Sequence, residues 1–165
     1  MSASRLDLFK ATLGLRFFGW WKIPLLAFTR PSVMALDDDR CVVRIRLGRR
    51  TRNHLGSMYF GALAIGADCA GGLIAATLIR RQQAKVSLVF KSLKATFLKR
   101  PESDVFFVCE EGAKIRALLE LTLASAERQT TPVHIRAEVK TLEGTEVVAE
   151  FSLELSLKQS SKGAV

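Results

Sequence analysis

The chain has 165 residues, of which 48% are hydrophobic and 25% are charged. These shares exclude a disordered chain and are typical of one globular domain large enough for a sizeable core. The formal net charge of +9 suits nucleic acid, a polyphosphate ligand, an acidic protein or anionic lipid, although solubility alone also accounts for it. Because no nucleic-acid-binding motif accompanies the charge, we expect no nucleic-acid partner.

The N-terminal segment 1–30 is predicted to form one or two helices that end near Pro24 and Pro31. Its bulky apolar residues recur at helical spacing and form one stripe: Leu6, Phe9, Leu13, Phe17 and Trp20. Charged residues interrupt the segment and it lacks a small-residue cleavage site, so we do not interpret it as a signal peptide. Two interpretations stay open: a lid packed on the domain, or a helix that contacts a membrane surface.

A strand pair is predicted next. A short strand near 32–36 is followed by a turn at Asp37–Asp39. The segment Arg40–Leu47 then alternates between apolar and mostly basic side chains, which is typical of a half-buried strand. A polar loop, Arg49–Ser57, leads into the following element.

The stretch Tyr59–Ile79 is rich in glycine and alanine and carries one acid, Asp68, near its middle. It is long enough to span a bilayer, but an unpaired charge in mid-membrane is costly. A helix that is apolar on every side is also typical of the core of a soluble protein. We therefore predict a long helix buried inside the domain.

The second half of the chain is predicted to consist mainly of strands. Along Lys85–Leu98 the apolar residues shift from even to odd positions, which predicts a β-bulge near Lys91–Ser92. The other predicted elements are a turn at Pro101, a strand at 105–109, a helix at 112–126, and two strands, 133–141 and 147–157, joined by a hairpin at Glu143–Gly144.

An antiparallel sheet curled around the apolar helix is the simplest way to bury that helix, so we predict an α+β domain over 31–158. Segment 1–30 is its helical extension, and the polar tail 159–165 is expected to fray. A sheet built from hairpins leaves edge strands, which commonly pair with another subunit. We therefore expect an oligomer.

The three cysteines, Cys41, Cys69 and Cys109, lie far apart and form no C-x-x-C pair. This spacing fits reduced thiols in a cytoplasmic protein better than a disulfide framework or a zinc site. We therefore expect a cytoplasmic location and no metal.

The run Asn53–Gly61, followed by an acid at Asp68, resembles the active-site signature of hotdog-fold acyl-CoA thioesterases. That signature has Asn-x-x-Gly, then usually His-Gly-Gly, then an acid on the central helix. Asn53 and Gly56 match the first part, Gly61 matches the second glycine of the pair, and Asp68 follows Asn53 by 15 residues. The sequence is most similar to a domain-of-unknown-function branch related to the phenylacetate-pathway and 4-hydroxybenzoyl-CoA thioesterases. The fold that this resemblance implies is a hotdog, with the sheet wrapped around the central helix.

The resemblance implies hydrolysis of an acyl-CoA or acyl-carrier-protein thioester, with coenzyme A as part of the substrate and no other cofactor. Asp68 would act as general base or nucleophile. The Asn53 amide and the backbone N–H groups at the helix start would form an oxyanion site. In the family these donors and the acid come from different subunits, so a homodimer or a dimer of dimers (a homotetramer) is expected.

The chain departs from the signature at Tyr59-Phe60, which replaces the usual His-Gly. The Phe60 N–H would then take the place of a glycine N–H, and Tyr59 either supplies its hydroxyl or only packs. Many such enzymes also place a polar residue on the first long strand. Counting from the helix points to Ser87, and counting back from Pro101 points to Lys91, so both stay candidates.

Three basic pairs are candidates for binding the coenzyme A phosphates: Lys99-Arg100, Arg80-Arg81 and Arg49-Arg50. We favour Lys99-Arg100 because it ends the long strand. Tyr59-Phe60 also leaves open a non-catalytic protein that binds an acyl ligand, and the N-terminal stripe leaves open a membrane-associated protein. A hydratase is compatible with the resemblance too, but that chemistry usually pairs a histidine with the acid.

Overall fold

The computed structural model describes residues 4–160, which form one antiparallel sheet and four helices. The helices are α1 (Arg5–Lys22), α2 (Pro24–Thr29), α3 (Phe60–Arg81) and α4 (Gly112–Leu123). The strands are β1 (Ser32–Leu36), β2 (Cys41–Ile45), β3 (Val86–Phe97), β4 (Val105–Cys109), β5 (Gln129–Thr141) and β6 (Gly144–Gln159). They lie in the order β1-β2-β4-β5-β6-β3. The predicted α+β architecture is confirmed.

Helix α3 is the core helix that its composition predicts. The sheet approaches it closely because its residues are small: a Cβ on Gly66 would lie 2.2 Å from the ring of Phe107, which is fully buried. Phe90 of β3 lies near Gly71 and Gly72, where an added Cβ would be 3.6 Å from its ring, an ordinary contact. By length and composition α3 passes as a membrane span, but two thirds of its apolar window is buried inside the domain. This burial is that of a core helix.

The predicted β-bulge in β3 is confirmed. Phe90 pairs with Leu155 of β6, whereas Leu93 pairs with Leu153, so β3 holds one more residue than its partner between these pairs. The extra residue falls at Lys91–Ser92. The bulge keeps apolar side chains directed inward on both sides of it: Leu88 and Phe90 before it and Ala95 after it all pack against the core.

Several element boundaries differ from the predicted ones. β5 begins at Gln129, four residues before the predicted start, because Gln129–Pro132 pair with Leu157–Glu154 of the long strand β6. β6 itself continues to Gln159, so the predicted tail begins later, and residues 161–165 of that tail lie outside the described residues. α4 ends at Leu123 rather than near residue 126.

The N-terminal extension forms α1 and α2 as predicted, with Pro24 at the first position of α2. Ser4 and Asp7 form a capping box at the start of α1. The helix lies along the outer edge of β1, where the Val33 N–H donates to the Thr12 hydroxyl over 2.9 Å. The helix packs on the domain through Leu8, Ala11 and Leu15, but the five residues of the predicted stripe are exposed and do not make this contact.

Candidate active site

One face of α3 is left uncovered by the sheet. Along this face Gly61, Ile65, Asp68, Gly72 and Ala76 are half-buried or exposed, while the other sides of the helix are buried. The spacing of three or four residues places them in one stripe. β3, which supplies Phe90 beside Gly72, is the last strand of the sheet on its side, so this stripe adjoins an open sheet edge.

Asp68 lies in the middle of this open stripe. No hydrogen bond or ion pair joins its carboxylate to any other group within residues 4–160. Burial among small apolar residues raises the pKa of Asp68 above its ordinary value. A carboxylate with a raised pKa and no internal partner is suited to accept a proton from a bound water.

The start of α3 offers two unused backbone donors. Tyr59 is the N-cap, but its side chain makes no capping hydrogen bond. The N–H groups of Phe60 and Gly61 have no acceptor in the described part of the chain, as expected for the first positions of a helix. Donors at a helix N-terminus also carry the positive end of its dipole, so they favour a bound or developing negative charge.

Two backbone hydrogen bonds hold the residues before α3, one to the loop after β3 and one to an earlier position in the same loop. The Met58 N–H donates to the Pro101 carbonyl over 2.9 Å, and the Tyr59 N–H donates to the Thr51 carbonyl over 2.7 Å. Met58 and Thr51 are themselves buried. The donors of Phe60 and Gly61 are thus fixed in position. No motif in the sequence pointed to Thr51 or Pro101 in this role.

The ring of Tyr59 lies over Gly61. A Cβ on Gly61 would lie 2.5 Å from that ring, and the rings of Tyr59 and Phe60 have centroids 4.6 Å apart. Tyr59 is 48% exposed and Phe60 is 60% exposed. Two roles are predicted for Tyr59, donation by its hydroxyl or packing only, and in this structure its ring packs. Together the rings of Tyr59 and Phe60 form an apolar wall at the start of the helix.

Asn53 organises its own loop. Its amide nitrogen donates to the Ser57 hydroxyl over 3.1 Å, and its side-chain oxygen accepts from the Leu55 N–H over 2.9 Å. Gly56 completes the turn with φ +83°, a value that favours glycine. The carboxamide is therefore engaged within residues 53–57, with one N–H remaining, and its role as an oxyanion donor stays a prediction.

The two candidates on the long strand lie in different places. Ser87 alternates with Leu88 and Phe90, so it faces away from α3, and its hydroxyl bonds to the Lys158 carbonyl over 3.3 Å. It therefore does not share the face of Asp68. Lys91 lies in the β-bulge and is exposed. Phe90, which was not among the predicted site residues, packs beside the open stripe. Its inward-facing position on the strand is the feature of the sequence that indicates it.

Two of the three candidate basic pairs, Lys99-Arg100 and Arg80-Arg81, lie at opposite ends of α3. Lys99 and Arg100 immediately precede Pro101, whose carbonyl holds Met58, so they lie close to the start of the helix. Lys99 forms an exposed ion pair with Glu146. Arg80 and Arg81 lie about 30 Å along the helix from Phe60, at 1.5 Å per residue, and Arg81 pairs with Asp38.

Cys69 follows Asp68 in α3 and is the cysteine nearest to it in the sequence. All three cysteines are buried and free, and burial raises the pKa of Cys69, next to Asp68, well above its ordinary value. Within residues 4–160 no group of three or more His, Cys, Asp and Glu side chains could hold a metal ion.

A family model described as a domain of unknown function, DUF4442, matches residues 16–156. The chain belongs to the DUF4442 family. No curated protein matches it by sequence.

Three solved structures illustrate what this DUF4442 member resembles. A Pseudomonas aeruginosa protein named a probable thioesterase is 21% identical, with a TM-score of 0.73 over 90% of this chain and 96% of its own. A Chlorobaculum tepidum protein of unknown function is 10% identical, with a TM-score of 0.79 over 93% and 97%. A thioesterase family protein from Silicibacter pomeroyi is 14% identical, with a TM-score of 0.65 over 90% and 99%. At such identities the likeness shows the fold, and the predicted hotdog fold is confirmed.

Proposed function

We propose that this DUF4442 protein hydrolyses an acyl thioester, with Asp68 as the general base. The observation that carries the proposal is the unpartnered, half-buried Asp68 in the only stripe of α3 that the sheet leaves open, within residues 4–160. The thioesterase names of several fold relatives support the same general chemistry. The match to the Asn53–Asp68 signature supports the finer relation to acyl-CoA thioesterases.

The proposed site needs two copies of the chain. Asp68 lies eight residues after Phe60, about 12 Å along the helix axis at 1.5 Å per residue. The donors bind the carbonyl oxygen and the acid holds the attacking water, which must come within about 3–3.5 Å of the carbonyl carbon. We infer from this separation that the donors and the acid of one helix do not serve the same thioester. The open stripe of α3 and the unpaired edge of β3 form a continuous surface on which a second copy would bring its own helix start to Asp68.

The proposed reaction uses these groups in sequence. Asp68 accepts a proton from water as the water oxygen attacks the thioester carbonyl carbon. The negative charge on the carbonyl oxygen is stabilised by the N–H groups of Phe60 and Gly61 from the partner subunit. When the carbon–sulfur bond breaks, the leaving thiolate takes the proton back from Asp68. The products are a free acid and a thiol.

Acyl-CoA is the substrate class that we favour, with an acyl carrier protein as the alternative carrier. Lys99 and Arg100 lie near the start of α3, where the carbonyl would be held, and Arg100 is exposed and has no ion-pair partner within residues 4–160. Both carriers present a phosphorylated pantetheine, so both would place negative charge near these cations.

The experiment that tests this function measures thiol release from acyl-CoAs of increasing chain length. Asp68→Asn keeps the size of the side chain but removes the base, so kcat should fall by about 100- to 10,000-fold. Glu120→Gln, which changes an exposed acid on α4, is the matched control and should leave kcat unchanged. Equal activity of wild type and Asp68→Asn would contradict the proposal.

A non-catalytic acyl-binding protein is the second candidate function. It is favoured by the rings of Tyr59 and Phe60, which stand where the signature usually has His-Gly and which wall the start of α3. Saturable binding of an acyl-CoA without thiol release by the wild type would select this alternative.

A further inference from the structure

The helices α1 and α2 display a large apolar surface for which the proposed hydrolysis has no use. Its members are bulky side chains that point away from the domain, with exposed fractions between 43% for Ile23 and 68% for Trp20. We name this surface the N-terminal apolar face, and it consists of Leu6, Phe9, Leu13, Phe17, Trp20, Trp21, Ile23, Leu25 and Phe28. Patches this apolar usually mark an interaction site.

The exposed apolar side chains of α1 are not the ones that attach the helix to the domain. α1 packs on the domain through a narrow side that includes Leu8, Ala11 and Leu15. On that side Gly19 lets α2 approach closely: a Cβ there would lie 2.8 Å from Leu26 and 2.9 Å from the Ala27 nitrogen. On the same side Thr12 and Arg16 bond to the backbone at Pro31 and Val33. The bulkiest apolar side chains of the helix, among them Phe9, Phe17 and Trp20, nevertheless face outward, whereas an ordinary surface helix has a polar outer face.

Positive charges border the apolar face. Residues 5–30 hold five basic side chains and one acidic one, Asp7, which is engaged in the capping box. Lys10, Lys22 and Arg30 are exposed. The border continues into the loop before α3, where the Arg50 guanidinium lies 5.3 Å from the centre of the Phe28 ring.

An apolar face with a positive border favours one kind of binding partner over another. A second copy would meet the face with the same positive border, which would bring like charges together. A membrane with anionic lipids supplies an apolar interior and a negative surface at once, and tryptophan is favoured at that boundary. We propose that the N-terminal apolar face docks on anionic membranes, with α1 and α2 lying in the plane of the interface.

The chain carries its own reporter of this docking. Trp20 and Trp21 are the two tryptophans of the sequence, and both belong to the N-terminal apolar face. When mixed phosphatidylcholine–phosphatidylglycerol vesicles are added to the full-length protein, tryptophan emission should shift to the blue and the protein should sediment with the vesicles. Pure phosphatidylcholine vesicles should have a much weaker effect, and added salt should weaken binding to the anionic vesicles.

Two sets of variants separate apolar insertion from charge. Phe9→Ser combined with Phe17→Ser keeps both tryptophans and should abolish sedimentation. Lys10→Gln and Lys22→Gln should each weaken vesicle binding by about fivefold, the effect of one basic residue at an anionic surface. The matched control is Leu121→Ser on α4, which changes an equally exposed leucine (60%) outside the face and should bind like wild type.

Three results would overturn the proposal. One is unchanged tryptophan emission with anionic vesicles. Another is equal binding by Leu121→Ser and the Phe9/Phe17 double variant when melting shows both to be folded. The third concerns assembly: if the double variant has a lower solution mass than wild type, a second copy covers the face. Thiol release by the double variant from soluble acyl-CoA should stay at the wild-type value, so docking and hydrolysis can fail independently.

Discussion

Replacing Phe60 with proline should remove one backbone donor from the proposed oxyanion site while leaving α3 intact. Phe60 is the first residue of the helix, where proline is favoured because that N–H has no partner within the helix. The preceding Tyr59 has φ −66° and ψ 137°, an extended conformation that a residue before proline readily adopts. Loss of one oxyanion donor typically lowers kcat by about 100- to 1000-fold.

The matched control is Phe60→Ala, which removes the same ring but keeps the N–H. It should retain kcat within a few-fold of wild type, apart from changes in KM caused by the missing ring. Melting curves and solution mass establish that both variants fold and assemble like the wild type. Equal losses in the two variants would show that the ring, not the backbone donor, matters, and would refute the oxyanion assignment.

Mixing Phe60→Pro with Asp68→Asn then tests whether a site is shared between subunits. If donors and acid come from different chains, a hybrid dimer has one site with both lesions and one site with neither. Random exchange in an equal mixture makes about half of the dimers hybrids, each with one of two sites intact, so roughly a quarter of wild-type activity should return. If both groups of a site belong to one chain, no activity returns, and the two-chain site is refuted.

Three further predictions concern the acid, the packing and the cations. Because burial raises the pKa of Asp68, kcat should fall on acidification at a higher pH than for an ordinary aspartate. Asp68→Asn should raise stability at neutral pH, where the buried charge is a cost, and the gain should vanish well below the ordinary aspartate pKa, where the carboxyl is protonated in both folded and unfolded states. Unchanged melting at neutral pH would contradict this. Gly66→Ala should lower the free energy of unfolding by up to about 2 kcal/mol, since overpacking against Phe107 costs about 1–3 kcal/mol and removal of a helical glycine regains about 1 kcal/mol. Gly14→Ala, with open space around its Cβ, should instead stabilise, and denaturant unfolding of the pair measures both signs. Arg100→Gln should raise KM for acyl-CoA by up to about fivefold at low salt, whereas Arg80→Gln, at the far end of α3, should not; equal effects would remove Lys99-Arg100 as the phosphate contact.

The sequence predicts the fold well where side-chain size or phase carries the information. The small residues of α3 predict a helix that other elements approach closely. The contact between Gly66 and the ring of Phe107 confirms this. The phase shift along β3 locates the bulge to the residue pair. The sequence does not indicate where β5 begins, because Gln129–Pro132 have no apolar pattern of their own and are held in the strand by pairing with β6.

The candidate site is only partly readable from the sequence. The signature leads to Asp68 and to the start of α3, and the structure places both on accessible surface. The signature does not predict that the Asn53 amide forms hydrogen bonds within its own loop, because these bonds depend on the turn at Gly56. The sequence offers both Ser87 and Lys91 because counts from the two ends of the strand disagree when a bulge lies between those ends.

The two proposed surfaces of the molecule lie at opposite edges of one sheet, and this arrangement makes them compatible. The open stripe of α3 adjoins β3, whereas α1 lies along β1 at the other end of the strand order. A dimer that pairs through β3 therefore keeps both N-terminal apolar faces free. Both faces can reach one flat membrane only if the twofold axis of the dimer stands perpendicular to it. In that orientation the second contact becomes intramolecular, so the dimer should hold vesicles far more tightly than a single face does.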